Sequence, residues 1–133
     1  MYEQFLIHCF SDYWLQNDWM ATNKKKKFSI ALLHAFIYTI PFLLLTRSVL
    51  ALFVIFITHA IIDGTNLVNK LNQIKNFDFH QQYVQDASVT NKPQCMIMAD
   101  GYTDRPLFIR AWLIILQDNI LHLIINYLSL RYL

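Results

Sequence analysis

The stretch VLALFVIFITHAIID, residues 49–63, opens with an unbroken apolar run and then places His59 and Asp63 four positions apart. Four residues is about one helical turn, so both side chains leave the same face of a helix that is otherwise oily. The whole chain shares this bias. It is 56% hydrophobic and 15% charged, with a mean hydropathy of +0.31, against about 45–50% apolar and about 25% charged in soluble domains. Such a balance points to lipid. A length of 133 residues accommodates one domain, here residues 1–133. The formal net charge of +2 is too small to argue for a nucleic-acid partner. Cys9 and Cys95 lack metal-ligand spacing and read as packing residues.

Outward from this stretch, the pattern predicts an all-α, membrane-embedded bundle of about four helices, near residues 3–20, 28–45, 48–71 and 105–132. A partly irregular cytoplasmic loop covers residues 72–104. FSIALLHAFIYTIPFLLL, residues 28–45, carries no charge and at ~1.5 Å per residue nearly crosses a ~30 Å hydrocarbon core. LFIRAWLIILQDNILHLIINYLSL fills most of the last helix, with Pro106 in its first turn and Thr103 or Asp104 as its cap. The first helix repeats His8, Asp12 and Gln16 along one stripe, and its reading leaves open whether it crosses fully or only dips in. The N-terminal residues have no basic leader and no small-residue cleavage site, so no cleavable signal is expected. Lys24, Lys25, Lys26 and Lys27 place their loop in the cytoplasm and both termini outside. His80 falls in the long loop and is expected to be solvated.

The ionisable residues expected at membrane depth are His8, Asp12, His34, His59, Asp63, Asp118 and His122. Three helices each carry a His and an Asp at a spacing of four. Each such group costs on the order of 2.5–3.5 kcal/mol in hydrocarbon, so the seven are expected to converge on one pocket near the cytoplasmic leaflet. Imidazoles and carboxylates together are transition-metal ligand chemistry, with zinc the expected divalent ion. Gln16, Asn119 and Asn126 are expected to hydrogen-bond the ligands.

The same residues carry a resemblance. HCFSDYWLQNDWMATNK at residues 8–24, LLHAFIYT, THAIID and DNILHL together resemble a family of small bacterial and phage membrane proteins catalogued as a domain of unknown function. The match runs over nearly the whole chain, through His8, Asp12, Gln16, Asp18, Trp19, His34, His59, Asp63, Asp118 and His122. More distantly the arrangement is similar to bacterial inner-membrane proteins named metal-dependent hydrolases on motif grounds. It differs from them in lacking a proline-aspartate motif and in the order of its histidines.

The resulting expectation is a metal-dependent hydrolase of the bacterial inner membrane, bacterial or phage-encoded, acting on an amphiphilic or phosphorylated substrate. His8, His59, Asp63 and His122 are the favoured ligands, and Asp12, Asp118 and His34 serve as further ligands, bases or orienting groups. The lysine block attracts lipid or substrate headgroups. Two alternatives stand beside it. The cluster is structural glue between the helices of a non-catalytic envelope modulator, or it conducts ions, which the apolar IPFLLL and VLALFVIF segments argue against.

Overall fold

The computed structural model describes residues 2–75, 102 and 106–133, and all regular structure among them is helical. The expected loop around residues 77–100, with His80, and the Thr103, Asp104 and Arg105 assignments lie outside the described residues. The elements are α1 (Tyr2–Cys9), a π-helical turn (Phe10–Trp14), α2 (Asp18–Asn23), α3 (Phe28–Thr39) running into a 3-10 turn (Ile40–Leu44), α4 (Val49–Gly64), α5 (Leu67–Lys75) and α6 (Leu107–Tyr132). They fall into two compact units, Met1–Asn66 with Asp118–Leu133, and Leu67–Gln117. In the second unit, Gln117 donates to the Tyr102 hydroxyl at 2.7 Å, and the Lys75 ammonium lies 5.8 Å from the centre of the Tyr102 ring.

Local chemistry sets the boundaries. The expected first helix, residues 3–20, is broken: its α-helical hydrogen bonding gives way to the π turn, and α2 restarts after Asn17, whose side chain accepts from the Met20 amide at 2.8 Å. Ser48 caps α4 by accepting from the Ala51 amide at 3.3 Å. Pro41 has no amide to donate, and α3 tightens into the 3-10 turn there. The expected helix over residues 48–71 stops at Gly64, where Thr65 is extended, and resumes as α5.

Only α6 among the described helices is by itself long and apolar enough to cross a membrane. Its 26 residues extend about 39 Å. The 16 residues of α4 reach about 24 Å, short of a ~30 Å core. The three expected spans, with a first helix whose crossing the sequence leaves open, thus reduce to one clear candidate among the described residues.

In the first unit α3 packs along α4 through small residues. Ala31, Ala35, Ala51 and Ala60 are buried, and a β-carbon built at Gly64 would lie only 3.0 Å from that of Ala31. Spacings of four between Ala31 and Ala35, and between Ala60 and Gly64, let the two backbones approach closely. Tyr38, Phe42 and Ile55 form the apolar centre, flanked by Ile7, Leu45, Leu52 and Leu130. Around it the usual distribution is inverted. Buried polar residues, including His8, Ser11, Asp12, His34, His59, Asp63, His122, Asn126 and Ser129, are almost as numerous as buried apolar ones, while Phe5, Phe36, Leu44, Val49, Phe53 and Leu128 are exposed.

Candidate metal centre

Three elements of the first unit build a buried cluster. α3 contributes His34, α4 contributes His59 and Asp63 from one face, and the π turn contributes Asp12. His34 Nε2 lies 3.1 Å from Asp12 Oδ1, 3.0 Å from His59 Nε2 and 3.2 Å from Asp63 Oδ2. His59 Nε2 is also 3.2 Å from Asp63 Oδ2. One ligand atom from each of the four residues lies within 4.8 Å of all the others, and all four residues are buried.

These contacts are difficult to satisfy with protons alone. Two imidazole nitrogens facing each other share at most one proton, and a single N–H on His34 has three acceptors around it but a direction for only one. A cation at the centre relieves this, because it accepts every lone pair at once. Metal–ligand bonds of ~2.0–2.1 Å in a tetrahedron put neighbouring ligand atoms about 3.3 Å apart, close to the 3.0–3.2 Å contacts here. The Nδ1 atoms of His34 and His59 are buried with no hydrogen-bond partner among the described residues. The Nε2 edges thus carry the contacts of both rings.

Lys24 closes one side. Its ammonium donates to Asp63 Oδ2 at 2.7 Å and to Gln16 Oε1 at 2.7 Å. From sequence, all four lysines are expected to meet headgroups at the cytoplasmic surface. Lys25, Lys26 and Lys27 are indeed exposed, but Lys24 turns inward because the short α2 returns the chain over the open end of the cluster. Gln16 serves this lysine.

The other expected ligands lie outside the group of four. His8 has both ring nitrogens engaged: Nδ1 is 2.7 Å from the Tyr38 hydroxyl and Nε2 is 2.7 Å from Asn119 Oδ1. Asn126 Nδ2 donates to the same tyrosine oxygen at 2.7 Å, so the hydroxyl proton points to His8 Nδ1 and the His8 proton sits on Nε2, facing Asn119. Asn119 in turn donates to the Tyr13 hydroxyl at 2.6 Å. Asn119 and Asn126 are therefore partners of this chain and not of the four clustered residues.

His122 donates from Nδ1 to the Asp118 carbonyl oxygen at 2.8 Å, and its buried Nε2 has no partner among the described residues. The Asp118 carboxylate stands 3.7 Å from that ring and is 28% exposed. Tyr38, which sequence reasoning missed, joins the two halves. Its ring stacks on His59 at 3.6 Å between centroids, and its hydroxyl organises the His8 chain. The signal was present, since Tyr38 follows His34 at the same spacing of four as the His/Asp pairs.

The sequence family described as protein of unknown function (DUF3307) matches residues 1–99. That span includes Asp12, Lys24, His34, His59 and Asp63, and leaves out Asp118 and His122. No curated protein and no solved structure matches the chain.

Proposed function

Because the chain belongs to the DUF3307 family of proteins of unknown function, its chemistry has to be read from its site, and we propose a metal-dependent hydrolase embedded in a bacterial inner membrane, acting on an amphiphilic or phosphorylated substrate at the cytoplasmic leaflet. The observation that carries this reading is the convergence of Asp12, His34, His59 and Asp63 on one buried point. The membrane part is supported by the apolar length of α6 and by the inverted burial of the first unit, where oily side chains face outward and ionisable ones inward.

Asp12, His34, His59 and Asp63 would hold a divalent ion, zinc matching their imidazole and carboxylate donors, and it would supply an activated water and a Lewis acid for an ester or phosphoryl oxygen. The two carboxylates divide the remaining work by their surroundings. Asp63 is fixed by Lys24 and both imidazoles, which suits a ligand. Asp12 touches His34 and is the more exposed of the pair, which suits a group that accepts a proton from the attacking water.

A second reading has an observation in its favour. Lys24 already gives Asp63 a counter-charge, and a cluster neutralised in this way serves as interhelical glue in a non-catalytic membrane protein. Metal analysis of the detergent-purified protein beside a His59→Gln, Asp63→Asn double variant separates the two. The hydrolase reading expects about one divalent ion per chain in the wild type and a large loss in the variant. Equal metal content in both samples rules out this pair as ligands, and a metal-free wild type that resists loading leaves the structural role.

A further inference from the structure

Lys24 has a place in the cluster that neutralising Asp63 does not exhaust. An ammonium carries three donors in a tetrahedral array, and two are used, on Asp63 Oδ2 and Gln16 Oε1. The Lys24 side chain is 14% exposed, more than any of the four clustered residues, so it is the member of the site nearest the surface. Lys25, Lys26 and Lys27 follow it, all exposed.

Charge decides what the site would accept. This argument rests on the metal reading above. Imidazoles bind a metal in their neutral form and carboxylates in their ionised form. Asp12 and Asp63 then balance a divalent ion, and Lys24 leaves one positive charge over among the residues in contact at the centre, the next carboxylate, Asp118, being 28% exposed beside His122. Buried charge is costly unless it is paired. A neutral ester or amide does not supply the missing negative charge, whereas an oxyanion on the ion also presents acceptors to the neighbouring ammonium. A lysine suits this task because its point charge on a flexible stem reorients without the fixed fork geometry of arginine.

We propose that Lys24 is the anion-binding arm of the site, and that the metal-loaded cluster takes a phosphate-class oxyanion bridged between the ion and the Lys24 ammonium. The group recognised is the phosphate itself, whether free or carried on a lipid. Gln16 holds the ammonium at the rim while it shifts from Asp63 toward the anion.

The test uses the full chain in detergent, loaded with Co(II), whose visible spectrum reports its ligands, and titrated with inorganic phosphate and with a short-chain phosphatidic acid. Saturable spectral change is expected in the wild type with at least one of these. Change with phosphate points to a free-anion site, and change with the lipid alone to a headgroup site. Lys24→Met should keep its Co(II) while weakening the anion roughly tenfold to hundredfold, the effect of losing a hydrogen bond to a charged group. Lys24→Arg should restore part of the loss. The proposal is overturned if Lys24→Met binds the anion as tightly as the wild type, or if Co(II)-loaded wild type binds neither anion. Failure to take up Co(II) at all sinks the metal reading and this one with it, whereas uptake without anion binding sinks this one alone.

Discussion

Replacing Tyr38 with phenylalanine removes one oxygen from the centre of the first unit and almost nothing else. Tyr38 is fully buried, and its ring contacts, stacked on His59 at 3.6 Å and tilted against Phe42 at 5.2 Å, are available to phenylalanine without a cavity. The hydroxyl holds two hydrogen bonds of 2.7 Å, to His8 Nδ1 and from Asn126 Nδ2. Both partners belong to buried residues, so each is left without water or protein to replace the oxygen. A buried polar group deprived of its partner costs about 1–3 kcal/mol, whereas hydrogen bonds between membrane helices average only about 0.6 kcal/mol. Full orphaning of both partners places the expected loss at about 2–6 kcal/mol, and the membrane average alone gives roughly 1. Reversible unfolding in mixed micelles, followed by circular dichroism, measures it. Metal content should stay at the wild-type level, because the Tyr38 oxygen is not among the four clustered donors. A loss below about 0.5 kcal/mol refutes the reasoning that this hydroxyl organises the interior.

Gly64→Ala brings a β-carbon to 2.7 Å from Phe28 Cδ2 and 3.0 Å from Ala31 Cβ. The half-exposed Phe28 ring can swing away but Ala31 cannot. The expected cost is about 1–2 kcal/mol in thermal unfolding, with weaker metal uptake as α4 is pushed from α3, and unchanged values in both assays argue against the close approach. On the metal reading, a chelator should lower the melting temperature of the wild type by the equivalent of about 2.7 kcal/mol relative to protein held with the ion at a hundredfold excess over the dissociation constant. Asp63→Asn should show no such difference, and a chelator effect of equal size in that variant removes Asp63 from the ligand set.

The helical class, and the four ionisable residues that the structure brings together, are legible in the residues themselves. A spacing of four places His59 and Asp63 on one face of α4 whatever surrounds the helix, and the scarcity of charge in the apolar segments singles out His34. What escapes periodicity is anything that depends on a neighbour. Lys24 looks like its three sequence neighbours, and only the return of the chain through α2 turns it inward while they stay exposed. Tyr38 passes as one more aromatic in an oily helix, because its hydroxyl matters only once α1 and α6 bring His8 and Asn126 to it. The break after Gly64 is equally silent, since residues on both sides of it keep an acceptable helical pattern.

The π turn separates His8 from Asp12, which a spacing of four would otherwise keep together. In a straight α-helix His8 and Asp12 would lie along a single stripe and meet the same neighbours. A π turn, with its i→i+5 hydrogen bonds, takes up about one more residue than an α turn, and such turns recur at functional sites because they re-aim a side chain. Here the π-helical residues begin at Phe10, between the two. His8 is left facing Tyr38 and Asn119, with both nitrogens engaged, while Asp12 is presented to His34 across from Asp63. The interior is thereby divided into a hydrogen-bonded half, in which tyrosine and asparagine fix the protons, and a cation-seeking half, in which lone pairs converge without enough protons to separate them. A straight first helix would have turned His8 toward the same neighbours as Asp12. The break leaves the imidazole with Tyr38 and Asn119 and the carboxylate with His34.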